Sequence, residues 1–251
     1  MINETTHNIQ LRIYDNRPAL GIAAAKAVAT TIQRLLKTKS EVNMVFAAAP
    51  SQNEFLAALV KEDIDWSRIN VLHMDEYIGL DDGSEATFAY YLKAHLFSHV
   101  QCKAVHFIQG NNNDALAECN RYTSLLQQHP IDIVCMGIGE NSHIAFNDPP
   151  VADFNDPATV KVVLLDADCR QQQVNDGCFP TLGDVPTHAI TLTVPALLNC
   201  KYIFCMVPGK RKAKAVYHNF NSPVGEQYPS TALRTHSAVE MFVDKESAAM
   251  L

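Results

Sequence analysis

The sequence has 251 residues, 47% of them hydrophobic and 19% charged, and carries a formal net charge of −7. This balance supports a sizeable core and excludes a disordered chain. The acidic surplus, with no basic block, argues against nucleic acid or an anionic membrane as partner.

The opening residues, MINETTHNIQ, are polar and lack the basic and apolar regions of a secretory signal. No unbroken apolar run reaches the roughly 18 residues a membrane span needs. The seven cysteines are odd in number and include no C-x-x-C. Several lie in apolar runs, which predicts reduced, mostly buried thiols and no disulfide or zinc site. The expectation is a cytoplasmic protein with one domain over residues 1–251.

In chain order, residues 9–15 read as a strand and 17–36 as a long helix with one buried face. Residues 44–49 are an apolar strand. Ser51 then opens a helix, with Glu54 completing a capping box. Strands are expected at 69–76, 104–110 and 131–139, with amphipathic helices at 88–100 and 114–128. The second half adds strands at 160–166, 189–194, 201–207 and 239–244, and a helix starting near Gly209. Apolar strands alternating with helices predict an α/β fold: a three-layer, Rossmann-like arrangement with a mainly parallel twisted sheet and helices on both faces. Residues 149–157, rich in Pro, Asp and Asn, read as an irregular loop near an active site.

Ligands of such sheets bind beyond the carboxyl ends of the strands, where strand order reverses. Three segments qualify. APSQNE follows Ala49. Asp75-Glu76-Tyr77 follows Met74, and a carboxylate there suits a general base on a rigid support. GENSHIAFNDPP follows Ile138, within the stretch Gly137-Ile138-Gly139-Glu140-Asn141-Ser142-His143. Its glycines permit a tight turn and close approach of backbone to ligand. Its histidine can exchange a proton near neutral pH, with Asp148 or Glu140 to orient the ring. The run is not a dinucleotide fingerprint, because Ser142 stands where the third glycine belongs. His95 and His99 share a helix face without a third ligand, so no metal is expected there. Gln171, Gln172 and Gln173 read as a polar helix surface. Of Lys210, Arg211, Lys212 and Lys214, one lysine suits a phosphate.

Together, MDEYIGL at 74–80, GIGENSHIAFNDPP at 137–150, VPTHAITLTV at 185–194, GKRKAKAV at 209–216 and YPSTALRTHS at 228–237 resemble the glucosamine-6-phosphate deaminase/isomerase family. The related 6-phosphogluconolactonases share the fold, but Tyr77 after the Asp-Glu pair and FNDP after the histidine favour the deaminase side. The resemblance implies an enzyme without metal or cofactor that turns an amino-sugar phosphate into a ketose phosphate plus ammonia. Asp75 matches the base at C2, and His143 the group that assists ring opening. Asn141 and Asp148 match the partners of that histidine. Ser51, Gly139 and Lys212 fall on the substrate- and phosphate-binding positions. A homo-oligomer is compatible with the family.

The chain departs from the pattern in several places. Ala49-Pro50-Ser51 stands where the family has a Gly-rich phosphate loop, and Glu54 adds negative charge beside it. The family's phosphate-contacting arginine is missing after Arg170, which is the candidate substitute. Asp148 replaces the more usual Glu. With the sequence stopping soon after Ala249, regulation through the family's longer allosteric tail is not expected. Two alternatives follow: a lactonase in which His143 activates water, and a sugar-phosphate-binding regulator without turnover.

Overall fold

A computed structural model describes residues 2–81 and 83–251, with side chains from His7 onward. The chain begins with a hairpin, β1 (Ile2–Thr6) antiparallel to β2 (Ile9–Tyr14), turned through His7 and Asn8 at φ 52° and 66°. α1 (Arg17–Leu36) follows, capped by Asn16, whose side chain accepts from the Ala19 N–H. β3 (Val42–Phe46) leads through a 3₁₀ turn, Pro50–Gln52, into α2 (Asn53–Leu59). β4 (Ile69–His73) runs almost directly into β5 (Asp75–Tyr77). α3 (Phe88–Leu92) continues as a π-turn over Lys93–Phe97 to β6 (Ala104–His106). Then come α4 (Ala115–Gln128), β7 (Ile133–Met136), β8 (Val160–Leu164), α5 (Ala167–Asn175) and β9 (His188–Leu192). α6 (Val194–Leu198), β10 (Tyr202–Val207), α7 (Ala213–Asn221) and β11 (Val239–Asp244) complete the chain.

The main sheet has eight strands in the order β1-β2-β11-β10-β7-β3-β4-β6, parallel apart from the β1 hairpin. Its strands are buried on both faces, as helical cover on both sides requires. In β3, Met44 and Phe46 point into the layer under α1 and α2, while Val45 points into the layer under α4 and α7. β7 and β10 split the same way, with the period of two that the pleat imposes. α1 has the length and mean hydropathy of a membrane-crossing helix. Its Leu20, Ala24, Val28 and Ile32 are nevertheless core residues. All seven cysteines are free, and Cys119, Cys135, Cys169 and Cys205 are buried.

Three expectations need correction. The run 69–76 is two strands, because the chain leaves the main sheet at Met74. β5, β9 and β8 form a separate three-stranded antiparallel sheet, so 160–166 and 189–194 are not part of the parallel layer. The Ser51–Glu54 capping box does not form. The turn at Pro50 has no side-chain cap, and Glu54 instead receives both arms of the Arg17 guanidinium, at 2.9 Å each.

Strand order reverses between β3 and β7. β3 is followed outward by β4 and β6, whereas β7 is followed on its other side by β10 and β11. A cleft is expected at their carboxyl ends.

Candidate active site

That cleft is present. It holds about 500 Å³ of empty space open to solvent, and its walls include Ala49 and Ser51 after β3, Gly137 and Gly139 after β7, Asp75, His143 and Lys212. Strand β5 and the turn after β7, far apart in sequence, therefore bring Asp75 and His143 to one cavity.

Asp75 reaches the cavity because β5 pairs with β9, opposite Thr191. Phe88 and Phe146, stacked 5.5 Å apart, are part of the same wall. The carboxyl is 6% exposed. Burial and the neighbouring Glu76 carboxylate together push its pKa well above the ordinary aspartate value. Such a group is a stronger base when ionised.

Glu76 points away from the cleft and accepts the N–H groups of Tyr77, Phe88 and Ala89, which fixes β5 to the start of α3. Burial raises its pKa to about 7 from 4.5, against the pull of those three bonds. A carboxyl raised on folding keeps its proton in the native state at pH values where the unfolded chain has already lost it. Its contribution therefore falls as pH rises from about 4.5 to about 7, by on the order of 3 kcal/mol. Glu76→Gln is expected to flatten that slope, at a fixed cost of one lost backbone bond. Urea midpoints at pH values on either side of the window check this.

The His143 turn is locked from several sides. Gly139 N–H donates to the His143 carbonyl at 2.8 Å, and Ser142 N–H donates to the Gly139 carbonyl at 3.0 Å. The Asn147 side-chain amide donates to the carbonyls of Ile144 and Leu192. Phe146 N–H donates to Thr191 Oγ1 at 3.1 Å. Ser142 and Ala145, on either side of the histidine, sit at φ 72° and 48°. Two non-glycine residues in the left-handed region store strain that this network sustains, a pattern typical of functional sites. Gly139 lies against the imidazole, where a Cβ would stand 2.2 Å from two ring atoms.

His143 Nδ1 stands 2.9 Å from Asp148 Oδ1. The contact lies off the ideal hydrogen-bond line and is chiefly electrostatic. Asn141 serves both members: its amide donates to Asp148 Oδ1 at 3.0 Å, and its carbonyl accepts the His143 N–H at 3.0 Å. Asp148 is fully buried. Burial alone would raise its pKa, but the facing His143, the Asn141 amide and the Asp166 N–H hold it below the ordinary value. Of the two carboxylates considered for the ring, Asp148 is the one that lies beside it. Glu140, the alternative, faces Arg211 instead at 3.6 Å. His143, Asp148 and Cys169 bring N, O and S atoms within 4.8 Å of one another. Asp148 Oδ1 is already engaged by Asn141, and burial with the adjacent carboxylate keeps the thiol protonated.

At the other end of the cleft, Lys212 is 7% exposed and lines the wall. It is placed by the turn Lys210–Lys212, entered through Gly209 at φ 93°, whose N–H donates to both Asp244 carboxylate oxygens. Burial lowers the lysine pKa, opposed by Asp176 and Glu140. Other charges nearby are matched: Glu54 by Arg17, and both Glu140 and Asp176 by Arg211. Ser51 lines the cleft and accepts from the Gln52 amide at 3.1 Å.

The sequence reading missed Gln172 and Gln173. Both are buried and line the cleft, so they are not a helix surface. Gln172 accepts from Glu140 N–H at 2.7 Å. Gln173 makes no side-chain hydrogen bond to any described residue, which leaves its amide for a ligand. The signal was in the spacing: positions 169, 172 and 173 share one face of α5. Arg170 is not a substitute anion ligand, because its guanidinium donates to the carbonyls of Leu182 and Val185. The irregular segment 149–157 contributes nothing to the cleft wall.

The chain is similar to known proteins in sequence and in fold. The family model for glucosamine-6-phosphate isomerases/6-phosphogluconolactonase matches residues 15–242. The chain belongs to this family. It is 36% identical over 231 residues to the glucosamine-6-phosphate deaminase of Listeria monocytogenes, covering 92% of this chain and 96% of that protein. It is 32% identical over 226 residues to the glucosamine-6-phosphate deaminase of Bacillus cereus, covering 90% of this chain and 84% of that one. Among solved structures, a monomeric glucosamine-6-phosphate deaminase superposes with a TM-score of 0.87 at 28% identity, over 96% of this chain and 99% of that one. The 6-phosphogluconolactonase of Trypanosoma brucei superposes at 0.81 with 14% identity, over the full length of both chains, a likeness of fold alone.

Proposed function

We propose that this member of the family is an amino-sugar-phosphate deaminase/isomerase acting on glucosamine 6-phosphate or a close relative. The observation that carries the reading is the single cleft with Asp75 and His143 on its walls together with Ser51 and Lys212. His143, steadied by Asp148 and Asn141, moves a proton at the ring oxygen to open the sugar. Asp75 takes the proton from C2 of the open aldose and returns it at C1. The resulting C2 imine adds water and releases ammonia, leaving a ketose phosphate. Lys212 and the Ser51 hydroxyl hold the phosphate, with Gln173 available to a hydroxyl or phosphate oxygen.

Incubation with glucosamine 6-phosphate should release ammonia well above an Asp75→Asn control; equal release from both would reject the reading. Lys212→Met is expected to raise KM by roughly 10²-fold, the loss of one buried charge-assisted contact, with kcat changed far less. Steady-state kinetics with phosphorylated and free amino sugars check this, since the free sugar's KM should hardly move.

A further inference from the structure

We propose that Cys169 is a positioning residue that donates its S–H to Asp148 and so tunes the proton affinity of His143. This rests on the reading of His143 and Asp148 as the proton-moving pair.

Cys169 lies on the inward face of α5, 1% exposed, with its Sγ in the cluster whose ligating atoms all fall within 4.8 Å. Asp148 Oδ1 already takes Asn141 Nδ2 at 3.0 Å and faces His143 Nδ1 at 2.9 Å. Among the described residues, its other oxygen has only the Asp166 N–H, at a long 3.4 Å. A buried carboxylate with one poorly served oxygen needs a further donor. Burial, then the negative charge of Asp148 beside it, raises the thiol well above its ordinary pKa, so its proton stays in place.

The other ionisable groups felt by the cluster come from three directions. Asp75 and Tyr77 approach from β5, Asp166 from the head of α5, and Lys212 from the turn after β10. Lys212 is a positive charge and a second influence on the cluster, but it offers Asp148 no bond among the described residues. The thiol is thus the donor left to complete Asp148.

The consequence has a sign. A weak S–H donor stabilises the Asp148 anion. Without it the carboxylate attracts the imidazole proton more strongly, and His143 holds that proton to higher pH. The test compares Cys169→Ala, Cys169→Val and Cys169→Ser with the wild type, following the His143 ring proton by NMR against pH. Val keeps an apolar side chain but has no donor; Ser keeps a donor but is smaller and polar.

The expected result is a His143 midpoint raised by roughly half to one pH unit in Ala and Val and returned near wild type in Ser. The kcat for ammonia release should fall roughly 3- to 10-fold in Ala and Val and recover in Ser. A wild-type midpoint in Val with a displaced one in Ser would show packing alone and overturn the proposal, as would no shift across the series. If Ala fails to fold, the Val and Ser pair decides. The NMR midpoint requires no turnover, so absence of ammonia release from the wild type would sink the proposed reaction while leaving the Cys169–Asp148 contact to be judged on its own signal.

Discussion

Asp75→Asn should reduce ammonia release by about 10³- to 10⁴-fold near neutral pH while leaving the protein more stable than wild type. The first effect follows from the loss of the group proposed to take the C2 proton. The second follows from burial. Asp75 has its pKa raised by desolvation and by Glu76, so ionising it in the folded state costs free energy that the unfolded chain does not spend. The sign is the same as for Glu76. Stability declines as pH climbs above the ordinary aspartate range toward the raised folded value, and it is recovered as pH falls. Asparagine removes the ionisation and its share of that slope. Denaturant titrations of wild type and variant at matched pH, alongside kinetics, check both halves. A variant that is inactive and less stable would mean that the site is not destabilised for function.

Gly139→Ala is expected to reduce kcat/KM by roughly 10²- to 10³-fold in a folded protein. The new Cβ would lie 2.2 Å from both Cε1 and Nε2 of His143, and 2.4 Å from Cδ2. No side chain tolerates such an approach, and the Gly139 backbone is tied to the His143 carbonyl. The imidazole must therefore rotate, which draws Nδ1 away from Asp148. Misplacement of a reacting group by an ångström is enough for a loss of this size. A crystal structure should show the ring displaced, with the fold otherwise retained. Near-normal activity, or a ring left in place, would remove His143 from the mechanism as drawn.

The sequence made the alternation of strands and helices legible, because buried parallel strands are apolar throughout and α1 and α4 carry one apolar face. The residue pair at the centre of the site was legible for a related reason: Asp75 and His143 break otherwise apolar or glycine-rich strand ends. What could not be read was which sheet a strand joins. β8 and β9 are as apolar and β-branched as strands of the main sheet, and nothing local marks their antiparallel pairing. The departure at Met74 was hidden because 69–76 is one uninterrupted run. The cleft-lining position of Gln173 was hidden because a polar residue on a short helix reads the same whether it faces water or a cleft. Arg170 was misread because carbonyls 12 and 15 residues away, unreadable as partners from sequence, claim its guanidinium.

Thr191 gives the two-sheet architecture a further meaning. It sits opposite Asp75 in the β5–β9 ladder, and its hydroxyl receives the Phe146 N–H from the histidine's turn. Thr191 thereby pins the histidine's turn, which leaves the large sheet after β7, to the small sheet that carries Asp75. On the proposed mechanism, drift between the sheets would open or narrow the gap between base and imidazole while leaving Ser51 and Lys212, both held by the large sheet, in mutual register.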